Sequence, residues 1–389
     1  MATRLHNGDV VIGLGFRTPA GKQHGMFASL EPYELMAAVL RRQLNALQGI
    51  AGVDRVLAAN ATNLVGNVAR VSSLAAGLPV TIPAMTVNAQ CSSGLAAVRA
   101  AFEAVAAGAC DLVLAGGVES ATHAAVQLGA QGSRRGERAG SAPRISHAPA
   151  PFSDPEMGPA ADNLAARLGI GREALDSYAY ESYRRHDAAK ARGFFAPLSI
   201  PNLTSGSQAS PHDEMPRSVP VWEHLVRYPS AFTEGGATTA GNCAAAADGA
   251  AGVAIGREQA LAAAGEGPMA RVLGAVTVAG DPAFPAFAAV HAVERLLRQT
   301  EVSVGAIDRW EINEAFAAKV VAVMRHFGLA HERVNVNGGA IAYGHPFAAS
   351  GVMLLVHLIA ELHASGSRYG VAAIAGAGGI GEAMLIGCC

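Results

Sequence analysis

Cys91 follows a short apolar run, Ala84 to Asn88, and opens a stretch of small residues, Ser92, Ser93 and Gly94. A thiol at a helix N-terminus feels the positive end of the dipole, which favours thiolate and leaves backbone N–H groups free to meet a substrate. The competing reading is a buried, inert cysteine, and local context leaves the two in balance. His345 lies in Asn335-Val336-Asn337-Gly338-Gly339-Ala340-Ile341-Ala342-Tyr343-Gly344-His345-Pro346. Its glycines imply tight turns, and a histidine fixed on such a loop could take the Cys91 proton as a general base. Taken alone, it reads as a turn histidine. Asn313, in Glu311-Ile312-Asn313-Glu314-Ala315-Phe316-Ala317, stands at a strand-to-helix junction. There it suits a helix N-cap, or an amide holding a water or an oxyanion beside a catalytic histidine. Gly376, Gly378, Gly379 and Gly381 form a C-terminal glycine-rich loop. It lacks the βαβ setting with a downstream acid that dinucleotide binding requires.

The elements around these residues follow an α/β rhythm. Asp9 to Gly15, Arg55 to Ala59, Ala84 to Asn88 and Leu112 to Ala115 read as strands, the last ending at Gly116-Gly117. Tyr33 to Leu47 and Ser92 to Ala107 read as helices, and the alternation predicts a layered fold on a mainly parallel sheet. From Gln131 to Ser230 the chain is richer in Arg, Pro, Ser and His, with one clear polar helix at Arg172 to Arg192. That stretch is expected to be an inserted, solvent-exposed subdomain. The rhythm returns at Gly241, with strands at Arg271 to Val278 and Asp308 to Ile312, and helices at Phe287 to Arg298, Phe316 to Phe327 and Val352 to Ala364. Gly370 to Ala375 and Glu382 to Gly387 close the chain as strands. Thr86-Val87-Asn88-Ala89 and Arg333-Val334-Asn335-Val336 echo each other, as two related halves would.

The bulk numbers agree with such a chain. Its 389 residues suit two or three domain-sized units, and 51% hydrophobic against 15% charged residues allow a large core. A net charge of -2 without long basic runs points away from nucleic acid and anionic membrane surfaces. Met1 to Val10 contains Arg4, His6 and Asp9 rather than the apolar stretch of a signal peptide, and runs such as Gly351 to Ile359 are too short to span a bilayer. Five cysteines, Cys91, Cys110, Cys243, Cys388 and Cys389, fit no disulfide framework and suggest a reducing, cytoplasmic compartment. Neither a CxxC pair nor HExxH occurs, which argues against structural zinc.

Together and in order, the motifs resemble the thiolase superfamily over nearly the whole chain. Arg17-Thr18-Pro19-Ala20-Gly21-Lys22 is similar to its RTPxGK, Asn88-Ala89-Gln90-Cys91-Ser92-Ser93-Gly94-Leu95 to its nucleophile segment, and Gly116-Gly117-Val118-Glu119-Ser120 to GGxES. Met157-Gly158-Pro159-Ala160-Ala161-Asp162 is a diverged MGxTAE. Thr239-Ala240-Gly241-Asn242 and Asp248-Gly249-Ala250-Ala251 resemble the ends of TAGNxSGxxDGAA. Asn313 to Ala317 and Asn337 to Pro346 resemble the two most specific C-terminal signatures.

The resemblance implies an α/β fold of two similar halves in an αβαβα core. The first half would be 1–120 with 241–268, the second 269–389, and 121–240 would be the inserted loop domain that cradles coenzyme A. It implies acyl transfer from a coenzyme A thioester to Cys91, no permanently bound cofactor, and thiol activation by His345. Asn313, through a water, and His345 would form one oxyanion hole. The backbone N–H groups of Cys91 and Ala377 would form the other. Met157, Ala244 and Phe316 would contact the acyl and pantetheine channel. Members are usually dimers or dimers of dimers, so a homodimer or homotetramer is expected, with a hetero-complex as the alternative.

The departures bear on the reaction. Aligning Gly378-Gly379-Ile380-Gly381 puts Ala375 where the family has a second cysteine that moves the α-carbon proton, and a methyl group cannot carry a proton. Ala244 replaces a coenzyme-contacting serine, Glu156 a histidine of many biosynthetic members, and Ala279-Gly280-Asp281-Pro282-Ala283 an MGxGP stretch. Phe284 and Phe287, which follow, either reshape the acyl pocket or pack in the core. Three readings stand: 3-ketoacyl-CoA thiolysis or condensation with another proton carrier, decarboxylating condensation or transfer to a heteroatom that needs no such carrier, and a non-catalytic subunit of a complex. His345 and His147 are the first candidates for a substitute base.

Overall fold

In the computed structural model, which describes residues 10–48, 52–62, 66–124, 146–201, 203, 211–215, 219–262 and 267–388, the chain begins with β1 (Val10–Arg17), β2 (Gly21–Lys22) and α1 (Pro32–Ala46). Local chemistry sets α1: Glu31 and Glu34 form a reciprocal capping box, Pro32 opens the first turn, and Leu35, Met36, Val39 and Leu40 form its buried face. There follow β3 (Arg55–Ala59), α2 (Val68–Ala75), β4 (Ala84–Val87), α3 (Ser93–Ala106) and β5 (Leu112–Ser120). The middle of the chain supplies α4 (Met157–Arg167), α5 (Arg172–Ala191) and α6 (Trp222–Leu225). Next come β6 (Ala247–Arg257), α7 (Glu258–Ala262), β7 (Ala270–Ala279), α8 (Ala288–Thr300), β8 (Arg309–Ile312), α9 (Ala317–Phe327), α10 (Ala340–Tyr343), α11 (Phe347–Ser365), β9 (Tyr369–Gly376) and β10 (Ile380–Cys388). Gly328 and Gly366 end α9 and α11 in the left-handed conformation at φ 63° and 64°.

The strands form one continuous sheet, ordered β4-β3-β5-β6-β1-β7-β10-β9-β8, with β2 on β6. It is mixed, not mainly parallel as the sequence rhythm suggested. Only β3–β4, β3–β5 and β8–β9 run parallel, because β6 returns from the long insertion against β5 and β10 turns back on β9 through Ala377–Gly379. The halves repeat one order. Val334 bridges Trp310 of β8 in parallel, as Val87 of β4 pairs with Ala59 of β3, so the echoed Val-Asn pairs occupy corresponding places. The seam is the antiparallel pairing of β1 with β7 at Val11–Arg271 and Ile12–Ala270.

Three apolar clusters separate the layers. Met36, Val39 and Leu40 of α1 pack with Val56, Leu114 and Ala254 on the outer face of the first half. Leu95 and Val98 of α3 and Val352, Leu355 and Val356 of α11 lie between the halves, with Val253, Ile374 and Met384 from both. Val293 and Leu296 of α8 and Val320 and Val323 of α9 cover the second half, joined by Leu164 of α4 and Tyr178 of α5. The layering is thus αβαβα, and the insertion's described helices are docked on the second half rather than exposed throughout. About a quarter of the expected Gln131 to Ser230 insertion (131–145, 202, 204–210 and 216–218) lies outside the described residues.

Glycine sets how closely the central helices meet. A Cβ on Gly351 would stand 2.6 Å from the Leu95 backbone nitrogen, and one on Gly94 would strike the Ala348 carbonyl. β5 runs through Gly116-Gly117, where the sequence suggested an end, because side chains there would collide with Met36 and the Ala348 backbone. α11 spans more than the apolar run first read, and by length and composition it could cross a bilayer. Its Val352, Leu355, Val356 and Ile359 are buried in the central layer, which makes it a core helix.

A polar knot ties 211–215 to β1. The buried Arg17 guanidinium donates to both Asp213 carboxylate oxygens at 2.6 and 2.9 Å, and His186 Nε2 lies 3.1 Å from Asp213. His357 of α11 packs against Phe195 and Tyr343 beside this knot, with both ring nitrogens buried and unpartnered.

Candidate active site

The turn before Cys91 is fixed from several sides. Asn88 Oδ1 accepts from the Gln90 N–H at 3.0 Å, and Ser93 Oγ accepts from the Ala89 N–H at 2.7 Å. Gln90 is held at φ 56°, a left-handed conformation that a side chain adopts only when its surroundings enforce it. Cys91 is half-buried immediately before the N-cap Ser92 of α3, with its own N–H turned to its sulfur. Loss of solvent pushes the thiol up to about 11, with the Lys319 cation opposing the shift and Glu119 adding to it. Burial therefore outweighs the dipole that was expected to favour thiolate, and the resting sulfur keeps its proton.

The glycine-rich loop of the second half lies on this turn. A Cβ on Gly376 would come 2.9 Å from the Ala89 carbonyl and 3.2 Å from Ser92 Oγ. Ala375 precedes it, buried and paired with Gly381. Ala377, also buried, opens a tight turn that continues through Gly378 and Gly379 at φ 76° and 81°. His147 stands over that turn: its carbonyl lies 3.0 Å from where a Gly378 Cβ would be, and its Nδ1 is buried without a partner.

His345 is anchored by its backbone, donating to the Ala245 carbonyl at 2.8 Å and accepting from Ala247 at 3.3 Å. Its Nδ1 is 2.6 Å from Ser350 Oγ and 3.5 Å from Asn313 Nδ2, while Nε2 is buried with no partner. Burial first, and the positive Lys319 second, lower its pKa to about 3. Asn313 directly follows β8, and its Oδ1 accepts from Ala315 N–H at 3.2 Å and from Lys319 Nζ at 2.6 Å. The N-cap of α9 is Phe316, not Asn313, which is why the amide is available to the site. Glu314 locks this segment to the histidine-bearing loop, accepting from Tyr178 at 2.6 Å, Ser182 at 2.7 Å, Asn335 at 3.0 Å and the Ile341 N–H at 3.1 Å.

The residues expected to contact the acyl and pantetheine groups have these surroundings. Met157 opens α4, half-buried, after the exposed N-cap Glu156. Phe316 is half-buried and edge-on to Phe232 at 6.0 Å, and Gly158 lies directly against the Phe232 ring. Ala244 donates its N–H to the Ala315 carbonyl at 3.0 Å and, like Cys91, packs on the central cluster. Phe284, under the Arg167 guanidinium at 4.5 Å, and Phe287 line a cavity of about 250 Å³ with Leu164, Gly280 and His291. They are neither wholly in the core nor grouped with Cys91.

Lys319 was not singled out from the sequence. It is buried on the first turn of α9, and its positive charge bears on both Cys91 and His345. Its signal was a lone charge in Ala317-Ala318-Lys319-Val320-Val321-Ala322-Val323, an otherwise apolar run.

The family models for the N-terminal and C-terminal domains of thiolase match residues 10–259 and 266–388. The β-ketoadipyl-CoA thiolase of Acinetobacter baylyi is 36% identical over 95% of this chain and 97% of its own length. The acetyl-CoA acetyltransferase of Pseudomonas aeruginosa is 36% identical over 97% and 99%. Human mitochondrial 3-ketoacyl-CoA thiolase superposes with a TM-score of 0.87 at 31% identity, covering 98% of this chain and 99% of that one. Its complex with CoA gives 0.86 at 29%, covering 98% of each.

Proposed function

Since the chain belongs to the thiolase family and is a thiolase-like acyltransferase, we propose that it draws acyl groups from coenzyme A thioesters onto Cys91, in 3-ketoacyl-CoA thiolysis or condensation. His345 Nε2 takes the thiol proton as sulfur attacks the thioester carbon. The oxyanion that forms is met by the N–H groups of Cys91 and Ala377, and a second oxyanion by His345 with a water held on Asn313. Met157, Ala244 and Phe316 line the pantetheine approach. The observation that carries this reading is His345 itself. An imidazole fixed through Nδ1 by Ser350, with Nε2 buried and unpartnered, is costly unless a thiol or substrate uses that nitrogen.

Ala375 supports a second reading. Without the family's second thiol, decarboxylating condensation or transfer to an amine or alcohol would need no proton taken from carbon. Cys91, Cys110, Cys243 and Cys388 form no disulfide among the described residues, which suits a reducing, cytoplasmic compartment. Exposed Leu74, Val80 and Met85 around edge strand β4 suit a homodimer or homotetramer.

Intact mass after incubation with a panel of acyl-CoAs tests the first half-reaction. The expected outcome is one acyl group per chain, lost in Cys91→Ala. A Cys91→Ala protein that gains the same mass at the same rate would reject Cys91 as carrier.

A further inference from the structure

A buried lysine is costly unless something offsets its charge. Lys319 is 3% exposed. Its hydrogen bond among the described residues is to the neutral Asn313 Oδ1, at 2.6 Å, and no carboxylate there lies within ion-pair distance. The titratable groups whose charge interacts with it are Cys91, His345 and Glu314, and Glu119 acts in turn on Cys91. Glu314 already accepts four hydrogen bonds from other groups. Thus an ammonium sits among a thiol, a neutral imidazole and an amide, in the same site where Ala375 offers no proton carrier.

Building on the acyl-transfer reading above, we propose that Lys319 is a catalytic acid–base that moves the α-carbon proton of the second acyl group. In condensation, neutral Lys319 Nζ takes a proton from the α-carbon of an acyl-CoA. The freed electron pair forms a C–C bond to the acyl carbon on Cys91, the C–S bond breaks, and the departing thiolate takes the proton back. In thiolysis Cys91 passes its proton to His345 as the sulfur attacks the 3-keto carbon, the Cα–Cβ bond breaks, and the Lys319 ammonium protonates the leaving α-carbon. The thiol of free coenzyme A then takes the acyl group from Cys91 and gives its proton to neutral Lys319, while the released Cys91 sulfur recovers its proton from His345. Burial lowers the Lys319 pKa to about 8, so both forms are populated near neutrality. His345, lowered to about 3, is a far weaker base.

The test uses the full chain with acetyl-CoA in D2O, reading deuterium in the recovered acetyl group and, in parallel, intact mass at Cys91. Lys319→Gln can still donate to Asn313, and Lys319→Met cannot. Both should still reach the acylated mass while exchange falls on the order of 100-fold. Wild-type exchange should climb with pH and level above about 8, a limb absent from Lys319→Gln. His147→Asn should keep its exchange. Wild-type exchange rates in the Lys319 variants, an unchanged pH limb, or loss in His147→Asn instead would overturn the proposal. So would an acylated wild type that never exchanges. Failure of both Lys319 variants to acylate would assign the lysine to holding Asn313 and overturn the proton role. Failure of the wild type to acylate would instead sink the reading beneath it.

Discussion

A histidine held at about 3 stays neutral wherever the protein works, so its titration cannot shape the pH profile of the first half-reaction. What titrates is the thiol, pushed up to about 11. Acylation should therefore pass through pH 6.5 without a step and keep rising in alkali, as stopped-flow release of coenzyme A would record. His345→Ala should lower that rate on the order of 100-fold, and an unchanged rate would reject the base. Cys91, Asn313 and His345, the proposed site residues, could be singled out from the sequence because their neighbours form ordered motifs. Lys319 was not, since nothing in a one-dimensional pattern says that its helix face meets Asn313 rather than solvent. Nor could the pattern weigh burial against dipole at Cys91, because depth is a property of the assembled layers.

At the scale of elements, α3 and α11 carry the argument. Their glycines let two backbones touch, and that contact places the start of α3, with Cys91, opposite the start of α11, just after His345. Gly351→Val, with 2.6 Å available to its Cβ, should cost roughly 1–3 kcal/mol or more in urea unfolding. Acylation should slow at the same time with helix content kept; a variant as fast and as stable as the parent would show that the helices can part without consequence. Strands of branched residues and helices with spaced apolar faces were found within a residue or two of their ends, except that β5 runs on from Ala115 to Ser120 and α11 starts at Phe347 rather than Val352. β6 was missed because Ala247–Arg257 is mostly alanine and glycine, residues poor in strand preference, tolerated here by burial on both faces. α2 and α4 were missed because Ser72, Ser73 and Pro159 interrupt short patterns.

Across the whole molecule, buried ionisable groups make stability depend on pH in opposite senses. His357, unpartnered beside Arg17, has its pKa lowered well below the usual value by burial. A group depressed in the folded state adds stability that is whole above its unfolded pKa, about 6.5, and is lost as pH falls below it. Glu311, raised by burial, pulls the other way, so the informative quantity is a difference. As pH falls from about 6.5 to 5, wild type should lose more stability than His357→Leu, the difference in slope approaching about 1.4 kcal/mol per pH unit in urea titrations. Parallel curves would show that His357 is already solvated. The two-half plan was legible in the Val87-Asn88 and Val334-Asn335 echo, whereas the single mixed sheet was not, because strand direction depends on connections that cross the insertion.

The β1–β7 seam is two residue pairs long, yet the proposed nucleophile rides on one side of it and Asn313, His345, Ala377 and Lys319 on the other. Neither half owns a site. Turnover is in that sense a ruler laid across the joint: a slight misalignment at Val11 or Ala270, remote from Cys91 and harmless to either half's strands, would be read first as a catalytic defect.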